Sequence, residues 1–182
     1  MSTYHHGDLR PALVRAAQKL LEKVGPEALS LRAVARRAGV SHNAPYRHFS
    51  GREALLAALA AEGFRGLGEA LAASTGRAMG EAYVRFALER PQLFRLMFGG
   101  RLRFSRHRAL AEAAAQPYQA LLGAFRSQPA IADPEKAAAA AWALVHGLAH
   151  LLLDGHFMRQ TADPAAFARD VIGVVRFASR RA

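Results

Sequence analysis

Apolar residues recur every three or four positions along most of this 182-residue chain, a spacing typical of amphipathic helices. No segment has the sustained alternation or the β-branched enrichment that strands require. The first helix is predicted from about Asp8 to Val24, where Gly25 and Pro26 end it. Its predicted apolar face comprises Leu9, Leu13, Ala16, Leu20 and Val24. The fold class is therefore all-α.

Capping residues predict two short helices and then a long one. Ser30 is a good N-cap for the second helix, which ends at Gly39. Ser41 caps the third, and Pro45 falls in or just after its first turn, where a missing N–H costs little. Residues 50–53, Ser-Gly-Arg-Glu, fit the capping box that opens the fourth helix. Its leucines at helical spacing are Leu55, Leu56, Leu59, Leu67 and Leu71.

The rest of the chain is predicted as further helices, about nine in total. Predicted helices run from about Gly80 to Arg90, from Pro91 to Gly99 and from about Arg106 to Phe125. Two final helices begin at Pro134 and Pro164, each after an aspartate that can serve as N-cap. The architecture is therefore a three-helix head followed by a helical bundle.

Charge narrows the classes of partner. The chain has 25 Lys and Arg against 14 Asp and Glu, a formal charge of +11, which favours a polyanion such as nucleic acid. Residues 1–60 contain nine Lys and Arg and four Asp and Glu, a net charge of +5. With 52% hydrophobic residues the chain is globular, and the absence of cysteine excludes thiol catalysis, disulfides and cysteine-ligated zinc.

Residues 30–49 form a helix-turn-helix pattern, SLRAVARRAGVSHNAPYRHF. Apolar residues fill the angle between its two helices: Leu31, Val34, Ala35, Ala38 and Val40. The polar positions of the second helix must then face outward: Ser41, His42, Asn43, Ala44, Tyr46, Arg47 and His48. A helix that presents such groups fits the major groove of DNA.

Residues 5–59 resemble the N-terminal domain of TetR/AcrR-type transcriptional repressors. The shared elements are Gly-Val-Ser at 39–41, Tyr-Arg-His-Phe at 46–49 and Arg-Glu-Ala-Leu at 52–55. The resemblance implies phosphate contacts from Tyr46 and Arg52, where the family usually has Lys, with the start of the second helix near Ser30 against the DNA backbone. The implied base-reading residues are His42, Asn43, Ala44 and Arg47. The sequence departs from the family at Ala44-Pro45, where many members carry Thr-Leu.

The predicted domains are a helix-turn-helix DNA-binding domain at 1–52 and a ligand-binding and dimerisation domain at 53–182. The helix predicted at 134–154 is apolar nearly all round, so it should be buried both by its own domain and by a partner subunit. Ala143 and Gly147 are small enough to let two helices approach. A homodimer through the last two helices is therefore expected, and it would match a palindromic DNA operator.

The same helix carries a semi-polar stripe of Trp142, His146, His150 and Asp154. The stripe can be satisfied core groups, polar anchors of a ligand pocket, or a metal site, and the residues alone leave all three open. Residues 83–99 and the Trp142, His146-Gly147 pattern are similar to one TetR subgroup. That similarity implies an effector pocket lined by Tyr83, Phe86, Phe94, Met97, Phe98, Trp142 and His146.

The expected function is a repressor that a small-molecule ligand releases from its operator, with no enzymatic activity, cofactor or bound metal. Two alternatives remain: a helical enzyme or metal-binding protein that uses His146, His150 and Asp154, and a sequence-neutral DNA-binding protein. The basic cluster from Arg101 to Arg108 could contact flanking DNA, receive an acidic ligand or be a solvated loop.

A cytoplasmic location without membrane association is expected. The N-terminal residues lack the apolar segment of a secretory signal. The uncharged stretch from Ala137 to Leu153 is marginal for crossing a bilayer, so a buried helix of a soluble protein is the favoured interpretation.

Overall fold

The computed structural model describes residues 9–157 and 159–175, which form eight α-helices and two 3₁₀ turns without a strand. The helices are α1 (Leu9–Ala28), α2 (Leu31–Ala38), α3 (Arg52–Ala72), α4 (Arg77–Glu89), α5 (Pro91–Phe98), α6 (Arg108–Arg126), α7 (Pro134–Leu153) and α8 (Pro164–Val174). The 3₁₀ turns are Ala44–Arg47 and Phe104–Arg106. The predicted all-α class is confirmed.

Local capping decides where several helices begin and end. The Ser30 hydroxyl accepts a hydrogen bond from the Ala33 N–H at 3.2 Å, and Gly39 ends α2 in the left-handed conformation. The Asp133 carboxylate accepts from the Lys136 N–H at 3.0 Å, and Asp163 caps α8 in the same way. The predicted caps of these three helices are confirmed.

Helix α1 is interrupted where the sequence predicts its end. Gly25 has a φ of 73°, a region that favours glycine, and Pro26 follows it inside one more helical turn. The buried positions of α1 are Leu13, Val14, Ala17 and Leu21, together with Pro26. The predicted apolar face is therefore rotated from the observed one, and Val24 is 43% exposed.

The predicted third helix is a single 3₁₀ turn rather than an α-helix. Pro45 has no N–H to donate to the carbonyl of Ser41, so the first α-helical hydrogen bond cannot form there. The Ala44 N–H instead donates to the Ser41 carbonyl at 3.0 Å, and the His48 N–H donates to the Pro45 carbonyl at 3.0 Å. These bonds span three residues, which is the 3₁₀ spacing.

By packing, the described chain divides into two compact units. The first unit comprises residues 9–63 and 92–112, and the second comprises residues 64–91 and 113–175 without Met158. The predicted division into a DNA-binding domain at 1–52 and a ligand-binding and dimerisation domain at 53–182 concerns function and stays a prediction. The packing boundary after Gly63 falls inside α3.

In the first unit, α1 packs on α2, and α2 packs on the 3₁₀ turn at 44–47. Its core contains Leu13, Ala17, Leu21, Val34, Leu55 and Leu59. The segment 92–112 joins this unit through polar contacts with α1 and α3. The Glu22 carboxylate accepts hydrogen bonds from the N–H groups of Gln92 at 3.1 Å and Leu93 at 2.9 Å, and Arg101 forms an ion pair with Glu27.

In the second unit, α4 packs on α7 and α8, which also contact each other. Gly80 lets these helices approach closely, because a Cβ at this position would lie 3.2 Å from Val145 Cγ1 and 3.3 Å from Ile172 Cδ1. The core of this unit contains Phe64, Leu67, Tyr83, Ala87, Ala138 and Ala149.

Candidate DNA interface and ligand cavity

The 3₁₀ turn of the first unit presents a row of polar side chains to solvent. Pro45 and Phe49 are buried and hold the turn against the core. The exposed residues around them are Ser41, His42, Asn43, Tyr46 and Arg47, while Ala44 and His48 are half-buried. Tyr46 is 51% exposed, which is unusual for a large aromatic side chain and leaves its hydroxyl accessible to a partner.

Phe49 and Ser30 frame this surface. Phe49 is 3% exposed, and the Arg10 guanidinium lies 5.3 Å from its ring centroid, so this aromatic residue belongs to the core. Ser30 is exposed at the N-terminus of α2, where backbone N–H groups and the helix dipole favour an anion. The surface thus combines polar side chains with a helix end suited to phosphate.

Arg52 is engaged within the protein. Its Nε donates to the Leu29 carbonyl at 2.9 Å, and its Nη2 donates to the carbonyls of Glu27, at 3.1 Å, and Pro26. The first residue of α3 therefore secures the connection between α1 and α2. Sequence reasoning missed this role, because the three acceptors are backbone groups more than twenty residues away.

Three further cations lie together in a groove between α1 and α2. Arg15, Lys19 and Arg37 share it with alanine side chains, and within the described residues no carboxylate forms an ion pair with any of the three. By contrast, the cluster from Arg101 to Arg108 is partly neutralised. Arg101 pairs with Glu27, and Arg108 pairs with Glu112 at 2.7 Å.

A cavity of about 280 Å³ lies inside the second unit. It is lined by side chains from α3, α4, α6, α7 and α8, most of them apolar. Its lining includes Leu71, Met79, Tyr83, Leu121, Phe125, Ile131, Trp142, Leu144, Val145 and Ile172, with the polar side chains of Arg77 and Gln128. Its volume lies near the lower end of the range typical of small-molecule sites.

Tyr83 and His146 form a neutral hydrogen-bonded pair at the cavity wall. The Tyr83 hydroxyl lies 2.7 Å from His146 Nδ1, and burial raises the pKa of Tyr83 well above its usual value. Burial, and secondly the charge of His150, lower the pKa of His146. A protonated phenol can donate to an unprotonated ring nitrogen, so the contact requires no charge on either group.

Trp142 is the centre of an aromatic cluster beside this pair. Its ring packs edge-on against Tyr83, at 5.1 Å between centroids, and against Tyr118, at 5.8 Å. It also stacks on His146 at 6.3 Å. These contacts fix the orientation of an indole that lines the cavity.

Two of the seven predicted ligand-binding residues, Tyr83 and Trp142, line the cavity, and His146, which is not among its lining residues, is hydrogen-bonded to Tyr83. Phe86 is buried with the Arg90 guanidinium 4.9 Å above its ring and does not line the cavity. Three others lie on α5 in the first unit: Phe94, Met97 and Phe98. The ligand set itself stays a prediction.

The semi-polar stripe on α7 shows paired histidines. The rings of His146 and His150 lie 4.6 Å apart between centroids, and Asp154 follows at the C-cap of α7, where it is exposed. Within the described part of the chain, no group of three or more His, Asp and Glu side chains could hold a metal ion. Of the stripe, only Trp142 is among the described residues that line the cavity, and whether the stripe consists of satisfied core groups or of polar anchors of a ligand pocket stays open.

Among family models, "Bacterial regulatory proteins, tetR family" matches residues 13–59, and "Tetracyclin repressor-like, C-terminal domain" matches residues 77–175. A comparison with curated protein sequences finds no match. Many solved structures are similar. A protein of unknown function from Rhodococcus sp. RHA1 is 36% identical, with 95% of this chain and 96% of that one covered and a TM-score of 0.79.

Two more distant structures show the fold. PfmR, a TetR family transcriptional regulator from Thermus thermophilus, is 22% identical with a TM-score of 0.62, over 89% of this chain and 95% of that one. A bacterial regulatory protein in the tetR family from Rhodococcus RHA1 is 18% identical with a TM-score of 0.66, over 90% and 93%. The chain belongs to the TetR family and is a DNA-binding transcriptional regulator with a helix-turn-helix in its N-terminal part and a helical C-terminal domain.

Proposed function

We propose that the protein is a dimeric repressor that leaves a palindromic operator when a small molecule occupies the cavity of the second unit. The observation that carries this proposal is the cavity itself, a mostly apolar site that Trp142 helps to line, in a chain whose other unit presents an exposed 3₁₀ turn after α2. A protein that only coats DNA has no need of such a site.

On the DNA side, the exposed row around the 3₁₀ turn reads the operator. His42, Asn43, Ala44 and Arg47 face base edges, and the Arg47 guanidinium suits the paired acceptors of guanine. Tyr46, Arg52 and Ser30 contact phosphates, and Ser41 and His48 adjoin both sets of contacts. Exposure of Tyr46 and Arg47 supports these roles.

The dimer forms through α7 and α8. Helix α7 is long and apolar enough to cross a membrane by length and composition alone, yet only 22% of its most apolar window is buried within one chain. Ala143, Gly147 and Leu151 lie on its exposed side, and Val174 of α8 is 79% exposed. A second copy of the chain that packs on this face would bury it. The dimer would then place the 3₁₀ turn at 44–47 of each subunit on one palindrome.

Release follows from differential binding. A ligand shifts the repressor away from DNA only if it binds more tightly to one form of the dimer than to the other. In the favoured form, the distance between the DNA-binding parts of the two subunits no longer matches the distance between successive major grooves. The protein works in the cytoplasm, where its DNA is found.

The decisive experiment is selection of bound sequences from random duplexes, followed by gel shifts at several salt concentrations. We expect a palindromic consensus, bound about a thousandfold or more tightly than random duplex. Arg47→Ala should lose about 1–3 kcal/mol of discrimination at one base position. Arg36→Ala, an exposed arginine on α2 outside the predicted contact set, is the matched control.

A sequence-neutral DNA-binding protein would give a different result. It would bind every duplex with equal affinity at matched salt, and Arg47→Ala would weaken all sequences alike. Either outcome would reject the proposed function.

A further inference from the structure

We propose that the effector is an amphipathic monoanion, an apolar body with one carboxylate, and that Arg77 binds the carboxylate. This inference rests on the proposed use of the cavity as the effector site. It follows from the distribution of charge and polarity over the cavity lining.

The described residues that line the interior of the cavity carry no formal charge, and most of them are apolar. Leu121, Phe125 and Val145 are buried there and offer only hydrocarbon and aromatic surface. Tyr83 contributes a hydroxyl, but that group lies in the hydrogen bond with His146 and stays protonated. An alkyl or aryl body would be stabilised here because its apolar surface leaves water.

Polar groups occur at the solvent-facing part of the lining. Arg77 and Gln128 are exposed, unlike the aromatic and aliphatic residues of the interior. A molecule whose apolar end occupies the interior would therefore leave its polar head beside these two side chains. The amphipathic character of the site thus sets the orientation of its ligand.

The sign of the head group follows from Arg77. Among the described residues neither aspartate nor glutamate lines the cavity, and Arg77 is the lining residue there that carries a formal charge. Within the described residues no carboxylate forms an ion pair with Arg77. A cationic ligand would meet repulsion, and an alcohol would accept a hydrogen bond from the guanidinium without the attraction between opposite charges. A carboxylate gains a charge-assisted bond, and guanidinium geometry allows it to be bidentate.

Trp142 gives a direct readout, because it is the one tryptophan of the chain and it lines the cavity. The full-length protein is titrated with octanoate, octanol and octylamine, which differ only in the head group, and Trp142 emission is followed. We expect octanoate to bind about tenfold more tightly than octanol, and octylamine to bind most weakly.

Variants then locate the charge effect. Arg77→Gln should bring octanoate down to the affinity of octanol and leave octanol unchanged, while Arg77→Lys should keep part of the preference. Arg85→Gln is the matched control, an exposed arginine on the same helix that does not line the cavity. It should behave like the wild type.

Several results would overturn the inference: equal affinities for octanoate and octanol in the wild type, tighter binding of octylamine, no change in Trp142 emission with any probe, or an unchanged preference in Arg77→Gln. The wild-type series decides even if a variant fails to fold. Operator binding without ligand, measured on the same samples, separates this inference from the proposed function. Loss of sequence-specific DNA binding in the wild type would reject the latter alone.

Discussion

Arg52 has a structural role in the protein and is also predicted to contact DNA. The resemblance to TetR regulators predicts a phosphate contact, and the structure places its guanidinium on the carbonyls of Pro26, Glu27 and Leu29. A cation that binds three carbonyls loses none of its charge, so it remains able to attract a phosphate. The two roles can be separated by measuring stability and DNA affinity on the same variants.

Arg52→Ala should lower the free energy of unfolding by about 1–2 kcal/mol, because hydrogen bonds from a charged donor are lost and their acceptors are left with water alone. Arg52→Lys should recover most of the DNA affinity but only part of the stability, since an ammonium cannot reproduce the planar fork. Urea unfolding checks the first point. Arg47→Ala, an exposed change, should stay within about 0.5 kcal/mol of the wild type. Equal stabilities for all three variants would remove the structural role.

His146 predicts a pH dependence of stability with a definite sign. Burial lowers the pKa of His146 in the folded protein, so the unfolded chain binds the proton more readily. The contribution of His146 to stability is complete above its unfolded pKa of about 6.5 and is lost as the pH falls below that value toward the lower folded pKa. In His146→Gln, which keeps a hydrogen-bonding side chain, this part of the acid sensitivity should vanish.

The measurement is urea unfolding of wild type and His146→Gln at several pH values between about 7.5 and about 5. The stability difference between the two proteins should change across this range, with the wild type losing more on acidification. His42→Gln places the same substitution on the exposed surface of the first unit as a control. A constant difference between wild type and His146→Gln would count against the assignment.

At the scale of elements, the caps could be predicted from sequence because their partners are local. Ser30, Asp133 and Asp163 bond to N–H groups two or three residues ahead. The buried face of α1 could not be predicted from the sequence, because apolar residues occupy two overlapping stripes of this helix. Packing on α2 selects Leu13, Val14, Ala17 and Leu21. The sequence shows that Pro45 has no N–H to donate. The 3₁₀ turn that results depends on which backbone carbonyl is thereby left without a hydrogen-bond donor.

Glu22 is a helix cap that local sequence could not indicate, since its partners lie seventy and seventy-one residues away. Its carboxylate accepts from the first free N–H groups of α5, where the helix dipole also favours a negative charge. Glu22→Ala should therefore cost about 1 kcal/mol of stability and increase hydrogen exchange in α5 more than elsewhere. Lys23→Ala, at the neighbouring exposed position, should have little effect. Unchanged exchange in α5 would show that the cap is not needed.

For the molecule as a whole, the sequence predicted most of the exposed surface around the 3₁₀ turn and only part of the cavity lining; that this surface binds DNA stays a prediction. The helix-turn-helix is contiguous, so its exposed residues follow from one amphipathic pattern. The cavity draws its lining from five helices, and only Tyr83 and Trp142 were predicted among its residues. The sequence analysis does not identify Arg77, because nothing in a single sequence shows which helices meet around a cavity.

The proposed dimer involves two copies of the chain, and substitution of Gly147 tests it. This glycine lies on the exposed side of α7, and an added Cβ would meet no atom within 4 Å in its own chain. Gly147→Glu should thus leave the monomer folded. It should stabilise α7 by somewhat under about 1 kcal/mol, because glutamate has a higher helix propensity than glycine. Across a two-fold interface the same change would bury two carboxylates against each other, at a cost of several kcal/mol. Light scattering should show monomers at micromolar concentration, and affinity for the palindrome should fall steeply.

The control is Gly123→Glu, a change at another exposed glycine, on α6, where an added Cβ would also meet no atom within 4 Å. This variant should remain dimeric. A dimeric Gly147→Glu, or a wild type that is monomeric with and without DNA, would place the interface elsewhere or remove it.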